Sequence, residues 1–395
     1  MEHRLSFSCD YLEGAHPAIL QRLCETNFAQ TAGYGTDEYC ASAREKIRAA
    51  CGAPNAEIHF LVGGTQTNAT VIDALLRSYE GVIAADTGHI SVHEAGAIEF
   101  GGHKVLTLPQ ENGKLTASQI RALLDQYEDD ANRDHTVMPG MVYLSQPTEY
   151  GTLYSKKELA AISALCREKH LPLYIDGARL AYALACSEND VTLRDLAALC
   201  DIFYIGGTKC GALLGEAVVI PQPGLIPHFF TIIKQHGALL AKGRLLGIQF
   251  DTLFTDGLYE RIGADAVRYA DAIRRAMAEN GYLPCFPSPT NQSFCIVSEQ
   301  QRKELAERVD FSVWEQYDET HSIIRFATSW ATREEDVNAL CRILRECAAR
   351  EKADPKASIN KKKLSPIFRR KLFLFHCAAL SSFSSAVHPA AKAAA

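Results

Sequence analysis

The stretch DIFYIGGTKCGALLGEAVVI, residues 201–220, places a single lysine between two apolar runs. The runs at 202–205 and 217–220 are rich in β-branched and aromatic residues, which predicts two buried strands. Glycines crowd the connection between them, and Lys209 lies among these glycines. A buried ammonium group is costly unless it is paired, neutralised or used covalently. Lys209 is therefore either a solvated lysine at a turn or a lysine that forms a Schiff base.

Outward from this stretch, apolar strand-like runs alternate with helix-like segments from about residue 14 to residue 220. The runs MVYLSQ (141–146) and LPLYIDG (171–177) are typical of buried strands, and the segment 155–170 between them has helical spacing. This alternation predicts an α/β fold with a mostly parallel sheet that is covered by helices on both faces. Sheets of this kind bind ligands at the carboxyl ends of their strands.

The pattern changes after residue 220 and again after about residue 351. We expect an N-terminal arm at 1–13, a large domain at 14–248, a small α+β domain at 249–351 and a basic tail at 352–395. The Ser- and Ala-rich composition of the tail predicts disorder. The alternative for the tail is a basic segment that binds a membrane surface or a partner.

Composition excludes several classes of protein. The 395 residues carry a formal net charge of -6, so no overall basic field predicts nucleic-acid binding. The 13 cysteines are scattered and odd in number, and none forms a C-x-x-C pair, which predicts reduced thiols in a cytoplasmic protein without a zinc site. The amino terminus lacks an apolar signal core, and no apolar run is long enough to span a bilayer.

The segment GGTQTN, residues 63–68, lies between a strand-like run and a helix-like segment. Its glycines allow close approach of the backbone, so Gly64 and Thr65 at the start of a helix could hold a phosphate group. Glycine-rich turns of this kind are common, so the segment is a weak signal alone. It matches neither the G-x-x-x-x-G-K-[ST] nor the G-x-G-x-x-G pattern, which disfavours ATP and NAD.

Asp176 ends an apolar strand-like run, and Arg179 follows three residues later. These two residues alone favour a simple ion pair at a turn. In the functional alternative, Asp176 keeps a pyridine nitrogen protonated while Arg179 binds a carboxylate. The segment GHISVHEAGA (88–97) has His89 and His93 at helical spacing, but H-E-x-x-H and a third ligand are absent, which disfavours a metal. His89 is expected to reach the ligand crevice as a flat imidazole.

The order of these motifs makes them specific together. From about residue 6 to residue 350 the chain resembles the L-threonine aldolase / β-eliminating lyase family, whose members use pyridoxal 5'-phosphate. The resemblance rests on GGTQTN, GHISVHEAGA, IDGARL and GGTKCGALLGEA. It implies the aspartate-aminotransferase-like fold (fold-type I), with a large domain built on a mostly parallel seven-stranded sheet and a small α+β domain.

The resemblance also implies roles for the cofactor-binding residues. Lys209 would form the covalent imine with the cofactor, and Asp176 would bind its pyridine nitrogen. His89 would stack on the pyridine ring, and Gly64 with Thr65 would bind the phosphate. A basic residue would complete the phosphate site, either Lys242 or, as the alternative, Arg244.

On the substrate side, the resemblance implies that Arg179 and Arg325 bind the carboxylate of an amino acid. Cys9 stands where the family has a serine that contacts the substrate, with Ser8 adjacent. Glu149 stands where better-known members have a histidine near the substrate hydroxyl, so Glu149 is either a catalytic base or a structural residue. Both changes affect the expected substrate range.

The implied reaction is the cleavage of L-threonine, L-allo-threonine and related β-hydroxy amino acids to glycine and an aldehyde. The catalytic residues would be Lys209, His89 and Glu149. A β-elimination or another reaction at Cα is the alternative with the same cofactor, and a non-catalytic cofactor-binding protein is the alternative from another class. Members of the family are dimers or tetramers, which implies a homo-oligomer.

Overall fold

A computed structural model of the protein describes residues 4–353, and the predicted basic tail lies outside these residues except for its first two positions. The strands of the described part are β1 (Leu5–Ser6), β2 (Glu57–Leu61), β3 (Glu80–Ala85), β4 (Lys104–Leu108), β5 (Met138–Ser145), β6 (Leu173–Asp176), β7 (Ile202–Gly206), β8 (Glu216–Ile220), β9 (Leu283–Pro284), β10 (Gln292–Ser298), β11 (Val309–Asp310), β12 (Ser312–Gln316) and β13 (His321–Ala327).

The helices are α1 (Pro17–Glu25), α2 (Glu38–Cys51), α3 (Gly64–Leu75), α4 (His89–Val92), α5 (Ala97–Phe100), α6 (Ala117–Asp129), α7 (Lys156–Glu168), α8 (Leu180–Leu184), α9 (Leu193–Leu199), α10 (Phe229–Gln235), α11 (Arg244–Leu253), α12 (Leu258–Ile262), α13 (Ala264–Glu279), α14 (Glu299–Ala306) and α15 (Glu334–Ala353). A 3₁₀ turn covers Arg133–His135. Sequence signals set several of these ends, since α2 stops at the left-handed Gly52 and α7 begins with a capping box at Ser155.

The main sheet has seven strands in the order β2-β8-β7-β6-β5-β3-β4. The pairs from β7 to β4 are parallel, and β8 is antiparallel to both of its neighbours. The prediction of a mostly parallel seven-stranded sheet is confirmed. Each face of the sheet packs against its own apolar cluster, as expected for strands that are buried on both sides.

One edge of this sheet positions the site. Strands β5, β6 and β7 are parallel and end at this edge. Strand β8 runs in the opposite direction and begins there, and β2, which is antiparallel to β8, ends there as well. In the register, Ser145 is opposite Asp176, and Glu216 is opposite both Gly206 and Leu61. Polar side chains therefore meet in a common crevice at this edge, with Ser145 and Asp176 at the ends of β5 and β6 and Glu216 at the start of β8.

The second sheet is antiparallel, in the order β12-β13-β10-β9, and it packs with α13 and α15 around its own core. Strand β1 pairs in parallel with β11, and the adjacent Phe7 is buried against Phe326 with 6.5 Å between the ring centroids. Residues 5–7 thus lie beside the small sheet, before the chain enters the crevice. The division of the chain at residues 13, 248 and 351 stays a prediction.

Candidate active site

A cavity of about 250 Å³ opens at the carboxyl edge of the main sheet. Its walls are formed by Tyr11, Gly64, Thr65, His89, Ser145, Pro147, Glu149, Asp176, Ala178, Arg179, Tyr204, Thr208, Lys209 and Glu216. Seven of the ten residues predicted to form the site are among them. The other three, Cys9, Lys242 and Arg325, lie outside this lining.

Asp176 is the most heavily coordinated carboxylate of the cavity. The hydroxyl groups of Tyr204 and Tyr143 donate to its two oxygens at 2.5 and 2.7 Å, the Asn68 amide donates at 3.1 Å and the Ala178 N–H donates at 3.0 Å. Burial alone would raise the pKa of Asp176, but the His89 charge and these hydrogen bonds lower it below its ordinary value. Asp176 is therefore held as a carboxylate although it is buried.

His89 is connected to the same network. Its Nδ1 lies 2.6 Å from Oε1 of the buried Glu94, and Asn68 donates to that same oxygen at 2.7 Å. Asn68 thus bridges Glu94 and Asp176 through one amide nitrogen. The second oxygen of Glu94 is buried without a hydrogen-bond partner in the described chain. The imidazole is held on one side by Glu94 while its ring lines the cavity.

Glu149 lies next to His89 on the cavity wall. Its Oε1 accepts hydrogen bonds from the His89 backbone N–H at 2.9 Å and from the Ser145 hydroxyl at 2.6 Å. Burial raises the pKa of Glu149 above its ordinary value, against the opposing effect of the Ser145 hydrogen bond. A raised pKa makes this carboxylate a stronger proton acceptor than an exposed glutamate.

Lys209 lies in the connection between β7 and β8, and this connection folds back tightly on itself. Gly207 and Thr208 both donate backbone hydrogen bonds to the Gly215 carbonyl. A Cβ at position 207 would lie 2.7 Å from that carbonyl oxygen, and Gly215 has a φ of +115°, so both positions require glycine. Burial and the Arg179 charge lower the pKa of Lys209. The glycines therefore hold an amine that deprotonates more readily than an exposed lysine.

Arg179 does not pair with Asp176, so the simple ion pair favoured by those two residues alone is wrong. Instead its Nε and Nη2 donate to the two oxygens of Asp10 at 2.6 and 2.9 Å, and Asn291 also donates to Asp10 at 2.8 Å. Asp10 is fully buried, and its pKa falls to about 2 because the Arg179 charge and hydrogen bonds outweigh the effect of burial. The arm thereby holds this guanidinium at the cavity.

Arg325 lies behind the cavity wall on β13. It donates to the Ser8 carbonyl at 3.0 Å and to Gln292 at 2.9 Å, and its guanidinium carbon lies 4.8 Å from the centroid of the Trp314 ring. Its Nε is buried without a hydrogen-bond partner in the part of the chain that the structure describes. Burial, together with the nearby Arg179, lowers its pKa to about 10. An unpartnered buried donor of this kind suits an anionic ligand.

Cys9 is half-buried between Ser8 and Asp10, at the point where the arm enters the crevice. Lys242 is exposed, whereas Arg244 donates to the carbonyl groups of Ala29 and Thr26 at 2.7 and 2.5 Å. These contacts use the Arg244 guanidinium within the chain. The assignment of Lys242 to a phosphate group stays a prediction.

Several residues of the site were not predicted from the sequence: Asp10, Tyr11, Asn68, Glu94, Tyr143, Tyr204 and Glu216. For two of them a signal existed, because Tyr143 and Tyr204 are polar-tipped residues within apolar strands next to the one that ends at Asp176. Among residues 4–353 there is no cluster of three metal-ligating side chains, and no helix is long and apolar enough to cross a membrane.

Comparison with known proteins places this chain in a family. Residues 7–314 match the model of the beta-eliminating lyase family. The chain belongs to the beta-eliminating lyase family. This match covers the main sheet, the cavity and most of the small sheet.

The low specificity L-threonine aldolase of Pseudomonas aeruginosa is 33% identical to this family member over 351 residues, which cover 87% of this chain and 98% of that protein. A solved structure of Leishmania major threonine aldolase superposes with a TM-score of 0.84 at 43% identity, over 87% of this chain and 99% of that one. Aspartate aminotransferase from Thermus thermophilus superposes with a TM-score of 0.63 at 16% identity, over 87% and 91% of the two chains. The last likeness concerns the fold alone, and it agrees with the predicted aspartate-aminotransferase-like architecture.

Proposed function

We propose that this protein is a threonine aldolase, a carbon–carbon lyase that cleaves L-threonine, L-allo-threonine and related β-hydroxy amino acids to glycine and an aldehyde. The observation that carries the proposal is that Lys209 and Asp176 line one cavity together with His89. The similarity to a low specificity L-threonine aldolase and to a threonine aldolase of known structure supports the same reaction.

The cofactor that we propose is pyridoxal 5'-phosphate, and the chemistry of the donor set fits it. Asp176 remains a carboxylate in a buried position, which suits a protonated ring nitrogen. Helix α3 starts at Gly64 with no side-chain cap, so its first N–H groups are free to bind a phosphate group. When bound, the cofactor supplies an electron-withdrawing ring that stabilises negative charge at the substrate Cα.

The residues around this ring divide the remaining work. Lys209 provides the amine that attaches to the cofactor aldehyde, and its lowered pKa favours the free amine. The imidazole of His89 is oriented by Glu94 so that it can pack against a flat ring. Gly64 and Thr65 provide the phosphate contact at the start of α3, and Lys242 is the proposed second contact.

The substrate is oriented by charge. Arg179 and Arg325 bind the carboxylate of the amino acid, and Cys9 lies beside them on the arm. This orientation sets which bond at Cα breaks. Glu149 accepts the proton of the β-hydroxyl group at a carboxylate oxygen as the Cα–Cβ bond breaks and the aldehyde forms.

A direct test is to incubate the purified protein with L-threonine, L-allo-threonine and the two D-forms and to quantify glycine and acetaldehyde. We expect product from the L-forms, no product with Lys209→Ala, and unchanged rates with the control Lys303→Ala at an exposed position. Borohydride reduction should attach the cofactor to Lys209. Wild-type rates in Lys209→Ala, or a protein that never binds the cofactor, would exclude the proposal. A β-elimination product from the same incubation would instead support the alternative reaction.

We also propose that the enzyme is a homodimer or homotetramer in the cytoplasm. The fully exposed aromatic rings of Phe28 and Phe100, which are 94% and 96% accessible in the single chain, support burial against a second copy. The twelve cysteines within the described residues are all free, which suits a reducing compartment.

A further inference from the structure

Glu216 is a buried carboxyl group of the cavity that the proposed reaction does not use. It is the first residue of β8, it is 3% exposed, and the other four residues of that strand are apolar. Its Oε1 accepts a hydrogen bond from the Thr208 hydroxyl at 2.8 Å, and its Oε2 accepts one from the Gly207 N–H at 3.2 Å. Both donors directly precede Lys209, so this carboxyl group is fixed against the segment that carries the reactive amine.

The charges around Glu216 leave Lys209 as its electrostatic partner. Arg179 is already neutralised by Asp10, and Asp176 is held by four donors of its own. Six ionisable groups interact electrostatically with Glu216, and they lie on β6, β7, the turn after β7 and α12. They are Tyr174, Asp176, Tyr204, Lys209, Cys210 and Tyr259. Lys209 is the single cation among these groups.

We propose that Glu216 is a positioning residue that acts through Lys209 by exchanging one proton with it. The inference deepens the proposed function, since a lysine that attaches to an aldehyde must alternate between a cationic and a neutral nitrogen. While the Lys209 amine is free, Glu216 holds the proton as a carboxylic acid. When the lysine nitrogen is cationic, Glu216 is the carboxylate that balances its charge.

The exchange conserves atoms and charge. An N–H bond of the Lys209 ammonium breaks, its electron pair stays on nitrogen, and an O–H bond forms on Glu216, so the net charge of the pair remains zero. Lys209 and Glu216 both line the cavity and form no direct ion pair within residues 4–353, so the exchange requires a bridging solvent molecule. Burial raises the pKa of Glu216 to about 8 and lowers the pKa of Lys209, so burial brings the two pKa values closer together.

The test measures the reactivity of the Lys209 amine against pH. Full-length protein, freed of cofactor by dialysis against hydroxylamine, is pulsed with acetic anhydride between pH 5 and pH 10. Acetylation of Lys209 is quantified by peptide mass spectrometry, relative to the exposed Lys303 of the same molecule. We expect the wild-type profile to rise in two steps, with the upper one at the pH where the pair loses its last proton. Glu216→Gln should give a single step, because no second group shares the proton.

Two further variants separate this role from a purely structural one. Thr208→Val removes a hydrogen bond that lowers the pKa of Glu216, so its upper step should move to higher pH. The matched control Glu158→Gln, on the surface at α7, should leave the Lys209 profile unchanged. A single step in the wild type, two steps in Glu216→Gln, or an unmoved step in Thr208→Val would overturn the inference.

The labelling needs neither cofactor nor substrate. A protein that shows two steps but does not cleave threonine would therefore exclude the proposed function and keep the role of Glu216. A protein that cleaves threonine but shows a single step would support the proposed function and exclude the role of Glu216.

Discussion

The two sides of the cavity hold their charges in different ways. The strand-end side, formed by Asn68, His89, Glu94, Tyr143, Asp176 and Tyr204, is a continuous hydrogen-bonded network at the carboxyl edge of the main sheet. The arm side, formed by Asp10, Tyr11, Arg179, Asn291 and Arg325, is joined by the Asp10–Arg179 ion pair and by hydrogen bonds between distant parts of the chain.

This difference has a chemical reason. A cofactor ring that stays in place through many reaction cycles benefits from rigid partners, and on the strand-end side four hydrogen bonds fix the orientation of Asp176. A substrate enters and leaves, and the arm side brings the Arg179 guanidinium to the cavity wall, with Arg325 outside the lining. We infer that the first side binds the cofactor and that the second side selects the substrate.

Asp176→Asn is the strongest challenge to the strand-end side. The amide that replaces the carboxylate directs an N–H group at the Tyr143 or Tyr204 hydroxyl, which is itself a donor there. The amide also has no negative charge to stabilise a cationic ring nitrogen. We expect the turnover number to fall by about 10²- to 10³-fold, the loss typical of a removed electrostatic group. Steady-state kinetics with L-threonine measures this change.

The control for this variant is Tyr143→Phe, which removes one hydrogen bond to Asp176 but keeps the carboxylate. It should retain most of the activity. If Asp176→Asn has an unchanged melting temperature and retains wild-type turnover, the strand-end side does not act on the cofactor.

Glu149→Gln tests a residue where the strand-end side meets the substrate. The amide keeps the size of the side chain but cannot accept a proton, so we expect a loss of about 10²-fold in turnover, at the low end for general-base catalysis. Because burial raises the pKa of Glu149, wild-type activity should fall as the pH drops through that raised value. The variant should lack this acid limb in its pH–rate profile.

A structural role for Glu149 predicts a different result. In that case the acid limb would persist in the variant, and the ratio of rates for L-threonine and L-allo-threonine would not change. Ser145→Ala is the matched control, because it removes a hydrogen bond that lowers the pKa of Glu149. Its acid limb should therefore move to higher pH.

On both sides of the cavity the sequence predicted individual charged residues, such as Asp176 and Arg179, but not the residues that hold them in place. Asp176 and Lys209 are marked by local features, an apolar run that ends in a carboxylate and a lysine among glycines, and both line the cavity as predicted. Arg179 misled the prediction because its spacing from Asp176 suggested a pair. Its actual partner, Asp10, is 169 residues away, and local patterns carry no information on such contacts.

The partners of Asp176 explain why that pair does not form. Tyr143 and Tyr204 come from the two strands that flank β6, and their hydroxyl groups occupy both oxygens of Asp176. The buried Arg179 instead pairs with a carboxylate from another part of the chain. The arm supplies it, because β1 and Phe7 fix the chain just before Asp10.

Among these variants, Asp10→Asn should reduce turnover least, and it tests the arm side most directly. It leaves the Arg179 charge without its carboxylate, and breaking a buried pair in this way costs about 3 kcal/mol of stability. We expect KM for L-threonine to rise about tenfold, or about 1.4 kcal/mol, because the guanidinium loses its orientation while the cofactor side is untouched. Turnover at saturation should change little.

The pH dependence of unfolding provides a second readout of the same ion pair. The pKa of Asp10 is about 2 in the folded protein and close to 3.8 when unfolded, so its contribution is complete above about pH 4 and is lost as the pH falls towards 2. Asp10→Asn should therefore reduce stability at pH 7 and flatten the loss of stability between pH 4 and pH 2. The exposed pair of Arg121 and Glu168 is the control, and Arg121→Gln should leave KM unchanged. If Asp10→Asn instead lowered turnover at constant KM, the two sides of the cavity would not divide the work between cofactor and substrate.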